Sequence, residues 1–186
     1  MNRESAERCT ILRGLVGSTV HGLNVNDGIE DRDEMGICIE SFEEAMALWA
    51  PFEQFIYRSA AEREGRENAR STAGDLDLTI YSLRKWVRLA LKGNPTIMLL
   101  LFTPEEQLVL SLPMREPARS FLLDVRRGKV SEQECLTRAG ELERELADLE
   151  TASPLPEAPD EARVEEWLLD AYRRTWGTFA NAPHTV

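Results

Sequence analysis

Histidine and cysteine are scarce in this chain of 186 residues, which holds two of the first and three of the second. His21 and His184 are too few for a histidine-rich metal site or for a repeated acid–base machinery. Cys9, Cys38 and Cys135 are widely separated and odd in number, so neither a disulfide framework nor a zinc-ligand pair is suggested, and they read as reduced packing residues. No apolar run reaches the roughly 18 to 20 residues of a membrane span. Met1 to Thr10 is too polar for a signal peptide. A cytoplasmic protein without a membrane partner is expected.

Positive charge is also in deficit. Lys plus Arg is 22 against 33 Asp plus Glu, a net charge of −11, which disfavours indiscriminate adhesion to nucleic acid and confines any polynucleotide to a local basic patch. The remaining composition, 42% apolar and 30% charged, is that of an ordinary globular protein. The length suits one α/β domain or a core domain with a helical appendage. Any metal must therefore be carried by carboxylates.

Carboxylates are present in a telling arrangement. Asp31-Arg32-Asp33 follows a Gly17-Ser18 turn at the mouth of an apolar segment, Glu34 to Glu40, and Asp77 lies inside a second strand-like run, Leu76 to Tyr81. Two carboxylates two positions apart in an extended segment share a side, and a third on a neighbouring strand meets them at about 4.8 Å. Such a set suits a divalent cation of the magnesium type, which takes oxygen ligands and is often shared with substrate phosphates. Asp75 competes with Asp77 for the third place. Asp77 is favoured because Leu76 and Leu78 place it within the strand, whereas Asp75 follows Gly74 at its edge.

The rest of the chain supplies a coarse frame. A short helix over residues 3 to 10 precedes a strand from Ile11 to Val16. Ser41 to Gly65, with Phe42, Ala45, Met46, Trp49, Phe52, Phe55 and Ile56 at mixed three and four spacing, reads as helix broken at Pro51. Glu62 to Gly74 reads as a solvated connector, with a loop over a site as the alternative. Ser82 to Lys92 is a helix stopped at Gly93, and Asn94-Pro95 restarts another through Phe102. Thr103-Pro104-Glu105-Glu106 marks a further helical start. Ala118 to Arg127 is a short basic helix. Ser131 to Glu134 is a capping box opening a helix with the seam Cys135, Ala139, Leu142, Leu146 and Leu149, for which packing within the molecule is expected. Asp160 caps a last helix to about Trp176. The aromatic and leucine stripes over 42–56 and 164–176 read as core.

The words Val16-Gly17-Ser18-Thr19-Val20-His21-Gly22-Leu23, Asp31-Arg32-Asp33-Glu34-Met35-Gly36-Ile37, Asp77 to Trp86 and Lys92-Gly93-Asn94-Pro95 occur in order. Together they resemble the nucleotidyltransferase superfamily of DNA polymerase beta, and within it the predicted nucleotidyltransferases linked by association to RNA repair. The resemblance implies an α/β (α+β) fold with a small mixed sheet and a helical C-terminal portion, helices being expected on the face opposite the acids. It implies a nucleotidyltransferase core over 1–102, a helical region over 103–176 with a linker at 151–159, and a flexible tail at 177–186.

The same resemblance implies a magnesium-dependent enzyme. Asp31, Asp33 and Asp77 would be catalytic and hold two Mg2+ ions, while Gly17, Ser18 and His21 would face the phosphates of a nucleoside triphosphate such as ATP. Arg84, Lys85 and Arg88, a basic stripe after Asp77, are further candidates for phosphate or acceptor contacts, a solvated face being the alternative. The acceptor implied first is RNA or tRNA. A protein or small-molecule acceptor, as in toxin or antibiotic-modifying enzymes, and a nucleotide-binding module without turnover are the alternatives; the oligomeric state stays open. One departure stands out: a helical stretch usual in such proteins between the regions matched by Phe102 and Leu112 is shortened to Thr103 to Ser111.

Overall fold

A computed structural model describes residues 1–23, 25, 31–94, 97 and 116–180. The expected helix starts at Asn94-Pro95 and Thr103, and the shortened stretch before Leu112, fall largely or wholly outside these residues. Four strands, β1 (Thr10–Leu15), β2 (Arg32–Cys38), β3 (Gln54–Arg58) and β4 (Leu76–Ser82), form one mixed sheet in the order β1-β2-β4-β3. The central pair is parallel and in register, Asp33 opposite Asp77, Met35 opposite Thr79 and Ile37 opposite Tyr81. Both edges are antiparallel. Side chains alternate between faces along each strand, so this register decides which residues share a core.

One face carries Met35 and Ile37, and against it pack α2 (Ser18–His21), α5 (Leu83–Leu91) and the C-terminal helix α8 (Glu161–Ala180), through Val20, Leu83, Trp86, Val87 and Tyr172, with Ile97 joining them. The other face carries Cys38, Leu78 and Ile80 beneath Ala6 of α1 (Arg3–Arg8), with Phe55 and Tyr57 of β3 alongside. Ser82 caps α5 by accepting from the Lys85 N–H at 3.1 Å. The start of the next helix is visible only in Ile97, whose N–H donates to Asn94 Oδ1 at 3.2 Å, as an Asn N-cap requires. Among the described residues, no helix is long and apolar enough to cross a membrane.

Asp33 and Asp77, on odd positions with Met35, Ile37 and Tyr81, face the side that carries the larger helical layer. The expected separation of acids and helices on opposite faces is thus corrected. The acids occupy the open end of that face, where β2 and β4 begin, while α5 and α8 cover the other end. Strand alternation alone leaves the choice of face undetermined; it is fixed by which way α5 leaves β4.

Three further expectations change. Ser41 to Gly65 is not a broken helix but α3 (Phe42–Met46), β3 and α4 (Ser59–Glu64). The capping box of Ser41 and Glu44 does start a helix, but the pairing of Phe55 with Ile80 and Tyr57 with Leu78 on β4 draws the following segment into the sheet. Much of the stripe read there as core is surface: Phe42, Met46 and Ile56 are more than half exposed, and Trp49 is 92% exposed. The seam on α7 (Glu132–Ala152) also fails to pack. Ser131 and Glu134 form the expected capping box, but none of the helix's residues is buried, and Leu142, Leu146 and Leu149 face solvent. Capping and helix propensity suffice to specify the helix without specifying a partner. The residues Gly177 to Ala180, expected as frayed tail, continue α8.

The C-terminal helix is tied to the sheet by a buried polar joint. Tyr172 donates its hydroxyl hydrogen to Glu40 Oε1 at 2.8 Å and accepts from the Arg84 N–H at 3.2 Å, and Trp176 Nε1 donates to the Glu40 carbonyl at 3.0 Å. Glu40 is 1% exposed, and its Oε2 has no hydrogen-bond partner. Burial pushes its carboxyl above the usual range, opposed by the backbone N–H donors, Tyr172 and the Arg84 charge. A pKa raised by folding favours the protonated form in the folded state, so the stability it contributes is complete below the unfolded value and is lost as pH rises through the folded one. Glu40→Gln keeps an oxygen for Tyr172 without the charge. Its melting temperature is expected to match the wild type near pH 4 and to exceed it once pH rises through the raised folded-state value; no gap at any pH, or one that narrows as pH rises, in thermal melts, would contradict this origin.

Candidate active site

The chain reaches the acidic cluster three times. β1 ends at Leu15, and the Val16 N–H donates to the Asp33 carbonyl at 3.0 Å, which keeps the departing chain beside β2. Gly17 then turns at φ +82°, a conformation that L side chains resist, and a Cβ on it would overlap Asp33 Oδ2 and sit 3.3 Å from Asp33 Cγ. Glycine is therefore what lets this turn lie against the carboxylate. Ser18 opens α2 directly afterwards.

β2 and β4 supply the acids. One oxygen from each of Asp31, Asp33 and Asp77 lies within 4.8 Å of the others, and all three side chains are half-buried. Their convergence follows from the parallel register of β2 and β4, with Asp31 one residue before β2. Asp77 Oδ2 accepts from Arg58 Nε at 3.2 Å and from Ser71 Oγ at 3.0 Å, whereas its Oδ1 is buried and has no hydrogen-bond partner. An ionised oxygen left so is costly unless a cation meets it. An all-oxygen donor set with an unsatisfied carboxylate fits a hard divalent cation. Asp31 and Asp33 would hold such an ion together with Asp77.

Asp75 has a different surrounding. It accepts from Ser59 Oγ at 2.8 Å, from the Thr72 N–H and hydroxyl at 2.8 and 2.9 Å, and from Arg63. The Arg63 guanidinium first, then the Thr72 N–H and Ser59, hold its carboxyl well below the usual range. Its acceptor capacity is spent on fastening the segment before β4 to α4.

The cluster opens into a cleft of about 620 Å3 lined by Ser18, Asp31, Asp77, Arg58, Asn68 to Ala73 and Arg126. Thus the connector before β4 forms a wall of it. Arg58 organises that wall: besides Asp77, its NH1 donates to the Glu67 carbonyl at 3.0 Å, and its NH2 to the Ala69 carbonyl at 3.3 Å and to Ser71 Oγ at 3.2 Å. The far wall comes from α6 (Ala118–Arg126), where Arg119 Nε donates to the Gly22 carbonyl at 3.0 Å and Arg126 NH1 to the Leu23 carbonyl at 2.7 Å.

Gly17, Ser18, Asp31, Asp33 and Asp77 are therefore brought together, with His21 at the end of α2, its N–H donating to the Gly17 carbonyl at 3.3 Å. Arg84, Lys85 and Arg88 are not. They follow the far end of β4, five residues and roughly 16 Å along the strand from Asp77, where Lys85 and Arg88 pair with Glu53 at 3.3 and 3.1 Å. Arg58 and Ser71 were missed by sequence reasoning because the strand placing Arg58 opposite Asp77 was read as helix. The basic composition of Ala118 to Lys129 was visible in the sequence, but not its return to the Gly17 turn.

No curated protein and no solved structure matches this chain. A family model does match, over residues 2–116, and that span holds the whole sheet, the glycine turn and all three aspartates. The chain belongs to the RNA repair pathway DNA polymerase beta family, RlaP, a family of polymerase-beta-like nucleotidyltransferase type.

Proposed function

We propose that the cleft transfers a nucleoside monophosphate from a nucleoside triphosphate, ATP being the first candidate, to a hydroxyl of RNA, most directly a tRNA, in a magnesium-dependent reaction. The observation that carries this reading is the convergence of Asp31, Asp33 and Asp77 beside the Gly17 turn, with Asp77 Oδ1 buried and unsatisfied. Two Mg2+ ions held by these carboxylates would supply charge neutralisation for the triphosphate and acidification of the attacking hydroxyl. The three aspartates orient the reacting groups. Gly17, Ser18 and His21 receive the phosphates, and Asp77 accepts the proton of the acceptor hydroxyl. Oxygen of that hydroxyl bonds to the α-phosphorus, the bond to the α–β bridging oxygen breaks, and pyrophosphate leaves with that oxygen. Arg58 and Ser71 fix the rotamer of Asp77 through its other oxygen, so the proton-accepting group is positioned before substrate arrives.

The test is incubation with each α-labelled nucleoside triphosphate and Mg2+, with and without total RNA. Label is expected on RNA. Label on protein or a small solute would move the acceptor to those classes, and nucleotide binding without any transfer would leave a binding module.

A further inference from the structure

We propose that Arg70 is the residue by which this cleft recognises a chain of phosphates, gripping the phosphates beyond the one that meets the aspartates. The proposal deepens the transferase reading and rests on it for the nature of the natural ligand. Arg70 is exposed and lines the cleft, and among the described residues it makes no hydrogen bond or ion pair. The other cationic side chains of the walls are committed: Arg58 to Asp77 and the loop carbonyls, Arg126 to the Leu23 carbonyl.

The loop bearing Arg70 is fastened on both sides of it. Arg58 NH2 donates to the Ala69 carbonyl before it and to Ser71 Oγ after it, Ser71 Oγ in turn donates to Asp77, and the Thr72 N–H is held by Asp75. One guanidinium thus ties the loop and the third aspartate into a single unit, so the position of Arg70 is set relative to the acids. A guanidinium offers a planar fork of donors that matches phosphate oxygens in pairs. Presented from a held loop, it orders less chain on binding. The cleft is bipolar, with carboxylates at one end and an available guanidinium on the loop wall. A polyphosphate matches both ends, taking cations at the acids and donors at Arg70. A single phosphate must divide its oxygens between the two, whereas a polyphosphate assigns a separate group to each.

The probe is inorganic tripolyphosphate with Mg2+, titrated calorimetrically into the full chain, with inorganic phosphate as the short comparison. Arg70→Ala is expected to weaken tripolyphosphate binding roughly 10- to 100-fold, the scale of a lost charge-assisted pair, while leaving phosphate binding within about twofold and the melting temperature unchanged, as expected for an exposed side chain without partners. Arg70→Lys should fall between the two, keeping charge and losing the fork. Equal tripolyphosphate affinity in wild type and Arg70→Ala, or no measurable binding by the wild type, overturns the proposal. So does an equal loss for both probes. Failure of the transferase reading shows separately, as absence of label transfer by a wild type whose tripolyphosphate binding still depends on Arg70.

Discussion

Asp33→Asn and Asp77→Asn are each expected to lower nucleotidyl transfer by on the order of 10^2- to 10^3-fold, the scale seen when one element of a preorganised electrostatic site is removed. The reason is geometric: three carboxylate oxygens within 4.8 Å of one another repel in the absence of a cation and attract it jointly. Two further signatures follow that require no substrate. The wild type should melt higher as Mg2+ is added, because an ion that binds only the folded state stabilises it by mass action. Both variants should lose most of that rise. In metal-free buffer the relief of like-charge repulsion in Asp77→Asn is offset by the loss of its charge pairing with Arg58, so its melting temperature should stay near that of the wild type. Thermal melts with and without Mg2+, beside the labelled-nucleotide assay, check the set; an Asp33→Asn variant that keeps the full Mg2+ response would remove Asp33 from the metal site.

Gly17→Ala is the second large effect. A Cβ at that position would overlap Asp33 Oδ2, and with Asp33 Cβ and Cγ both 3.3 Å away the whole carboxylate must withdraw. A displacement of about 1 Å in a catalytic group costs on the order of 10^2-fold in rate. The positive φ adds a backbone cost of about 1–2 kcal/mol. Gly93→Ala separates the two contributions. Gly93 has φ +67°, but a methyl group there would meet no atom within 4 Å, and it lies beyond α5, away from the cleft. Gly93→Ala should therefore lose only the backbone contribution and Gly17→Ala that plus the cost of displacing Asp33, and only Gly17→Ala should lose transfer and Mg2+ affinity. Equal activity in the two variants would show that the close approach to Asp33 has no catalytic consequence.

The adjacency of β2 and β4, though not its parallel sense, was legible because each apolar run opens on an aspartate, and α5 because Ser82 and Gly93 bracket an apolar stripe. Residues 41 to 65 were not. Phe42 to Ile56 places apolar residues three and four apart, which a helix would bury together, yet the five-residue strand Gln54–Arg58 owes its existence to pairing with β4 more than to its own pattern. With that strand hidden, Arg58 was hidden too, along with the wall it organises around Ser71. The basic stripe of α5 shows what nearness in sequence leaves open. Arg84, Lys85 and Arg88 are close to Asp77 in sequence, but a strand covers about 3.3 Å per residue, and five residues carried them to Glu53 at the other end of the sheet. The three aspartates survived as a group because their relation depends on one register, shared by two adjacent strands.

The joint between Glu40 and Tyr172 spans most of the polypeptide, from the end of β2 to the final helix. During synthesis on the ribosome, β1, β2 and β4 emerge and can pair long before Tyr172 and Trp176 exist. Until those residues arrive, the Met35–Ile37 face is incompletely covered and the Glu40 carboxyl lacks its hydroxyl donor. A nascent chain in that interval presents bare apolar sheet, the condition under which partly made proteins become clients of chaperones. Closure of this face waits for α8, whose Tyr172 lies 132 residues after Glu40.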